Sequence, residues 1–522
     1  MTRVLDALAL LLGATAVAVL ATGGWTLGAL RLTRAEDVVV ALALLVGIRA
    51  WRRPYELPSV DPRRAVAAGV AVYLVLMGFI VVSRHYALRT HALDLGQPVQ
   101  VLWNILRGAG PELTQIPGFV IGERMSRWGD HFEPILYLLT PVAWLWPGPV
   151  SLLLQQTVAL AAGALFVYGF ARKRLDAGVA AVFALLYLLN PTLHGINLRD
   201  MHPTAFVIPL VLAAAWAFDR GRLVWCGVAL VLTLACREDA SVAVVGFGAW
   251  LALARSRWRL GAAVAAIAVA VLFVDLHYVI PYYRGEGAPY NHLYRYEHLG
   301  GSLREILITI AVRPWRWLGL LVDGGRLVYL LALLAPLGFL ALFAPRAALA
   351  AVPGIAMNIL SNDYRLYNFR SQYQAFALPF LILAAVEGYR NLQAFSTSRT
   401  AGAPEARRRR TPASFLLGFA FVASVVLTSP TVNDLGVSKW RLGERQHAAY
   451  RMMARIPPDA SVSANERLVP HLSLRRDVWV FPLGVPTAKY VLEFKWMEPK
   501  LPPGRYERIA EDHDWVLWLR KD

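Results

Sequence analysis

The chain has 522 residues, of which 57% are hydrophobic and 17% charged, with a mean hydropathy of +0.46. The apolar residues fall in blocks separated by short charged loops, which excludes an ordinary soluble enzyme and points to a polytopic membrane protein. The formal net charge of +18 does not call for nucleic acid, because Lys and Arg gather in the short loops where the positive-inside rule puts them. Cys226 and Cys236 lie on one predicted helix, about 15 Å apart along its axis, too far for a disulfide.

In chain order, the first apolar block, Val4 to Leu20, reads as a retained helix, since a second block follows at once. Thirteen spans are expected, near 4–22, 36–50, 65–83, 150–171, 177–190, 204–218, 222–236, 240–254, 260–280, 327–344, 347–360, 372–389 and 413–428. With the N-terminus cytoplasmic, the inside loops hold Arg49, Arg52, Arg53, Arg63 and Arg64, then Arg172-Lys173-Arg174. They also hold Arg220, Arg222, Arg255, Arg257, Arg259, Arg346 and the Arg407–Arg410 run. Ile135 to Trp146 is apolar but short and ends at Pro147-Gly148-Pro149, so it reads as an interfacial or re-entrant helix. The same register puts the long 84–134 loop, with its ordering aromatics Trp103, Phe119, Trp128 and Phe132, on the outside. The tail after the last span is also outside and reads as a small α/β domain, giving units 1–429 and 430–522. Its expected elements are a helix at 439–455, a strand at 461–464, a short helix, and strands near 478–481, 490–494 and 515–519.

Acidic and histidine residues collect on that one face. Asp94 is either a general base near the membrane surface or the N-cap of a helix from Gln97 to Leu106. Asp130-His131 with Glu133 can bind a metal or phosphate, or cap the interfacial helix with Pro134 in its first turn. The functional reading is preferred for His131, and the cap for Glu133. Asp200 and His202 sit between spans, His202 before Pro203. Arg237, Glu238 and Asp239 are either functional or form an Arg237–Asp239 or Arg237–Glu238 pair that closes a helical hairpin. Arg365, Arg370 and Tyr373, with the tyrosines of the 281–326 loop, form basic-aromatic clusters. These suit a sugar phosphate or an interfacial aromatic belt with snorkelling arginines.

Taken in order, the motifs are Asp94-Leu95-Gly96-Gln97 with Trp103-Asn104, His131-Phe132-Glu133-Pro134, Leu152–Gln156, Asp200-Met201-His202-Pro203 and Glu238-Asp239. The tail carries Ile456-Pro457-Pro458-Asp459 and Leu468-Val469-Pro470-His471-Leu472. Over about residues 84–500 this pattern resembles a family of predicted bacterial membrane proteins related to the GT-C glycosyltransferases, such as lipid A aminoarabinose transferase and the protein mannosyltransferases. The resemblance implies an all-α GT-C-like fold with a C-terminal α/β extracytoplasmic domain, multi-pass in the bacterial inner membrane. It implies an inverting transfer of a sugar from a polyprenyl-phosphate carrier to an extracytoplasmic glycan, lipid or protein.

By position Asp94 takes the catalytic acid's place, with Asp130 in reserve. Asp200 takes that of a second acidic motif, and His131, His202, Arg237, Glu238, Arg365, Arg370 and Tyr373 bind substrate. The chain departs from GT-C in an extra hairpin over residues 1–50 and in having Leu95 where many members carry a second acid. No cofactor is expected, a divalent cation being the one alternative. A transporter or flippase is the second reading, disfavoured because the polar motifs lie at one face and no repeat is visible. A non-catalytic scaffold is the third. Pro470-His471-Leu472 is expected on the tail's membrane-facing side near the loop, or else as packing inside that domain.

Overall fold

Helix starts follow local chemistry. Asp61 caps the Pro62–Tyr86 helix by accepting from the Arg64 N–H. Asp176 caps Ala177–Leu188, Asn190 caps Pro191–Leu198, and Thr411 caps Pro412–Val432. Three of these four helices place Pro at their first turn, where its missing N–H costs nothing. The computed structural model describes residues 2–27, 30–53, 55, 59–115, 125–285, 290–399 and 411–521. Phe119 and the Arg407–Arg410 run lie outside them.

Among the described residues six helical segments are long and apolar enough to cross a membrane. They are Thr2–Thr22, Pro62–Tyr86, Pro149–Ala171, Ala177–Leu198, Trp258–Arg284 and Pro412–Leu435. Most of the other expected spans are shorter or interrupted; the 36–50 block is one unbroken helix, Ala35–Arg52, that carries four charged residues. The 204–218 block begins as a tight turn, Pro203–Phe206, before the helix Val207–Asp219. The 327–344 block stops as a regular helix at Leu334, before Pro336 and the left-handed pair Gly338 and Phe339. The 347–360 block splits into Pro345–Ala348, Leu349–Ala351 and Val352–Ile359. Proline removes an intrahelical donor and clashes with the preceding turn, which apolarity alone does not register.

The Ile135–Trp146 segment is a ten-residue helix, Leu136–Leu145, with Leu138, Trp144, Leu145 and Trp146 exposed. The tail is an α/β unit. Its five strands run in the order Val478–Val480, Val462–Ala464, Tyr490–Phe494, Trp515–Arg520, Tyr506–Asp512. The Val462–Ala464 strand is parallel to both neighbours and the last two pairings are antiparallel. The expected 439–455 helix is Glu444–Met453, starting only after Gly443. The edge strand Tyr506–Asp512 was not anticipated.

The tail docks on the long loop. Thr114 Oγ1 donates to the Val478 carbonyl (2.6 Å) and accepts from its N–H (3.1 Å). Gln100 donates to the Arg476 carbonyl at 2.9 Å. Leu88 and Ala92 belong to the same buried apolar cluster as Val469, Leu472 and Leu492. His471 stacks on His85 of the Pro62–Tyr86 helix, ring centroids 3.9 Å apart. It therefore faces the membrane unit and is not packed wholly inside its own domain. Burial pushes the His471 imidazole down to about 4, so it stacks as a neutral ring.

Candidate active site

Asp94 lies in a single widened helical turn, Ala92–Gly96, where the Gly96 N–H reaches back five residues to the His91 carbonyl. Such turns recur at functional sites. The helix that follows, Gln97–Ile105, starts from Gly96 with no side-chain cap, so the N-cap reading of Asp94 falls away. The Asp94 side chain is 45% exposed, with its Oδ1 3.4 Å from His202 Nε2. Partial burial pulls its carboxyl upward, but His202, His91 and Arg199 more than offset this and hold it below the ordinary value.

The partner turn is held rigidly. Asp200 adopts a left-handed backbone, φ 58°. Its buried carboxylate accepts from the His91 N–H at 2.7 Å and from His91 Nδ1 at 3.1 Å. Gln156 clamps both ends of the turn, donating to the Asp200 carbonyl at 2.7 Å and accepting from the His202 N–H at 2.8 Å. The chain at Arg370 presses against Gly195, where a Cβ would come within 2.5 Å of the Arg370 backbone. Arg370 donates to Thr431 Oγ1 at 3.0 Å and lies within interaction range of Arg84, Arg199 and Asp434. Asp94, Asp200 and His202 thus form one group, and Arg370 adjoins it through Arg199, which reaches Asp94.

A second group gathers around Glu238, whose side chain is fully buried. It accepts from Tyr290 OH at 2.6 Å, His131 Nδ1 at 2.7 Å and the Phe132 N–H at 3.0 Å. Burial, reinforced by His292 stacked 4.3 Å away, pushes His131 well below the ordinary imidazole range. Its Nδ1 proton therefore goes to Glu238 and Nε2 keeps a lone pair. Burial and Glu238 push Tyr290 well up, so it remains a donor. Arg237 pairs with Asp239, Nε to Oδ1 2.7 Å, the first of the two pairings expected for that hairpin. Arg365 forks onto Asp363, Nε to Oδ1 and Nη2 to Oδ2, both at 2.8 Å. Tyr373 accepts from Arg295 at 2.9 Å.

Glu133 is not a helix cap. It is buried and bound in two contacts to Arg127, at 2.9 Å and 3.3 Å. Arg127 also donates to Asp130 at 3.2 Å and to Gln97 at 2.7 Å. Gln97 stands one turn beyond Asp94, so Arg127 joins the two groups.

Asp130, His131 and His292 present ligand atoms within 4.8 Å of one another. Two nitrogens and one oxygen suit a borderline divalent ion, with Glu238 orienting His131 as an outer partner. Arg127 at 3.2 Å and Arg284 at 3.7 Å from the same carboxylate already supply positive charge there. Sequence reasoning missed His91, Gln156 and Arg127, of which only Gln156 carried a signal, as the end of the Leu152–Gln156 motif; Tyr290 and His292 stand in the basic-aromatic loop cluster that the sequence marks, without their partners.

These observations describe a helical chain with several membrane-length helices, a loop-borne acidic centre and a small α/β tail docked beside it. The crystal structure of ArnT from Cupriavidus metallidurans in the apo state shares this fold. Its TM-score is 0.52 at 14% identity, over 87% of this chain and 97% of that one. The same protein bound to undecaprenyl phosphate gives 0.51 at 14% identity, with the same shares. The oligosaccharyltransferase AglB from Archaeoglobus fulgidus, with an inhibitory peptide and a dolichol-phosphate, gives 0.41 at 12% identity, over 82% and 70%. No curated protein matches the sequence. The chain belongs to the DUF2079 family of predicted membrane proteins, whose profile matches residues 84–517, and it shares its fold with ArnT.

Proposed function

We propose that the chain is a GT-C-type membrane glycosyltransferase that takes a sugar from a polyprenyl-phosphate carrier with inversion at the anomeric carbon. Asp94 removes the proton of an acceptor hydroxyl. That oxygen bonds to the anomeric carbon as the bond to the carrier's phosphate oxygen breaks, and the polyprenyl phosphate departs with the electron pair. The observation that carries this reading is an ionised, half-exposed carboxylate with no capping duty, braced by His202 from a turn that Gln156 and His91 hold. In-line displacement puts base and leaving group on opposite sides of the sugar. The departing phosphate is assigned to Arg365, with Arg237 and Tyr373; Arg370, expected to share that role, adjoins Arg199 beside Asp94 and is given to the acceptor side. Asp130, tied to Arg127, His131 and His292, becomes a positioning residue.

On this reading the N-terminus is cytoplasmic, about thirteen segments enter the bilayer, and the tail is an extracytoplasmic domain of the bacterial inner membrane. The test is transfer from undecaprenyl-phosphate sugars to membrane extracts, read as release of undecaprenyl phosphate. Asp94→Asn is expected to lower it about 10²–10⁴-fold at unchanged folding. Retention of activity within tenfold by that variant removes Asp94 as base, and a loss confined to Asp130→Asn then gives that role to Asp130.

A further inference from the structure

An apolar groove of about 430 Å³ opens along the Pro62–Tyr86 helix. Its walls include Tyr73, Met77, Ile80, Leu188, Phe421 and Val425. Along the Pro62–Tyr86 helix it runs from Ala68 to Ile80, about 18 Å at 1.5 Å per residue. That is roughly one leaflet of a ~30 Å hydrocarbon core. At the loop-face end the groove is lined by Thr431 and Leu435, and Thr431 is the hydroxyl that receives Arg370.

The groove therefore ends under a cluster of cations. Arg84, Arg199 and Arg370 lie within interaction range, and Arg89 is 2.9 Å and Arg84 3.7 Å from Asp434. Three carboxylates face these four arginines among the described residues: Asp434, Asp200 and Asp94 itself, which Arg199 reaches. Asp200 is already engaged by His91. An excess of guanidinium over an apolar slot, at the level of Asp94, complements an amphiphile with an anionic head.

We propose that the acceptor is a phosphate-bearing membrane lipid, its chain in this groove and its head group on Arg84, Arg199 and Arg370, so that a head-group hydroxyl meets Asp94. The acceptor role rests on the glycosyltransferase reading; the lipid site does not. Of these arginines Arg199 reaches Asp94, so the molecule the cluster holds is the one presented to the base. The carrier enters from the side of Arg237 and Arg365.

The test uses the full chain in phosphatidylcholine nanodiscs with trace phosphatidylglycerol or phosphatidylcholine bearing a photoactivatable tail. Phosphatidylglycerol is expected to label Pro62–Tyr86 and Pro412–Val432 at least about tenfold more than phosphatidylcholine, a difference of roughly 1.4 kcal/mol. The Arg199→Gln, Arg370→Gln double variant should bring the two lipids level. Val72→Trp, a groove-lining position exposed to lipid, should reduce labelling without moving the thermal midpoint. Equal labelling by both lipids in the native chain overturns the site. Displacement of the label by undecaprenyl phosphate but not by unlabelled phosphatidylglycerol overturns the acceptor assignment and gives the groove to the carrier. Asp94→Asn should label normally, so loss of transfer in that variant separates the chemistry from the lipid site.

Discussion

Glu238→Gln is expected to loosen the second group without emptying it. The native carboxylate accepts three hydrogen bonds in full burial, two on Oε1 and one on Oε2. A glutamine whose amide oxygen replaces Oε1 keeps Tyr290 and His131, but as neutral bonds. Charge assistance is worth about 1 kcal/mol per bond, so two such losses amount to about 2 kcal/mol. The amide nitrogen then faces the Phe132 N–H, donor against donor, which leaves a buried donor unpaired at about 1–3 kcal/mol. The sum is about 3–5 kcal/mol. For a chain of this size, with unfolding entropy near 2.1 cal/mol/K per residue, that is a fall of about 3–5 °C in the thermal midpoint. Unfolding in detergent followed by tryptophan fluorescence measures it. A double-mutant cycle with Tyr290→Phe should show coupling of about 1–2 kcal/mol. A midpoint within about 1 °C of native, or strict additivity with Tyr290→Phe, would refute the three-donor account of this carboxylate.

The neighbours that hold Asp94 below its ordinary value of 3.8 keep it ionised as pH falls, so the acid limb of the transfer rate is expected below that value; His202→Gln should move the limb upward, and a native limb above 3.8 would contradict the pairing. Chelation is expected to leave transfer intact, because Asp94 is outside the Asp130, His131 and His292 set; activity lost to EDTA and restored by Zn²⁺ or Mn²⁺ would make that set part of the reaction. Glu466→Cys, at an exposed position of the tail, should react with an impermeant maleimide in intact spheroplasts, with no background from the buried Cys226 and Cys236; labelling only after lysis would put the whole Asp94 face in the cytoplasm.

The residues legible in the sequence were those whose cost is local. Asp94, Asp200, His202, Glu238 and Arg370 are charged or polar groups beside apolar runs, where polarity needs a reason wherever the chain goes next. Their partners were not legible, because a pairing such as Glu238 with Tyr290, or Asp130 with His292, is a fact of helix packing and not of spacing. Glu133 misled for a related reason. Pro134 made it look like a helix start, while its true partner, Arg127, sits in a tight turn that no helical periodicity describes. The apolar blocks gave the membrane class at once but overstated unbroken spans, since hydropathy does not see Pro203, Pro336 or Pro353 ending a hydrogen-bonded run. The strand Tyr506–Asp512 was missed because an edge strand with Glu507, Arg508 and Ile509 exposed need not alternate.

The docked tail gives the loop a rigidity that a long connection lacks by itself. Gly96, the residue closing Asp94's turn, has no room for a Cβ beside Gln115 Oε1, Ser473 Oγ and Val469 Cγ1, at 2.9, 3.1 and 3.1 Å. Two of those three atoms come from the tail. The turn that aims Asp94 is thus pressed from one side by the α/β domain and met from the other by His202 on a turn fixed to the Pro149–Ala171 helix through Gln156. A carboxylate on a loop is a poor base if the loop wanders, because misplacement of about 1 Å can cost 10²-fold. Clamping from both sides is what the proposed chemistry asks of the tail: with Asp94 as the base, the domain packed beside it contributes that residue's position.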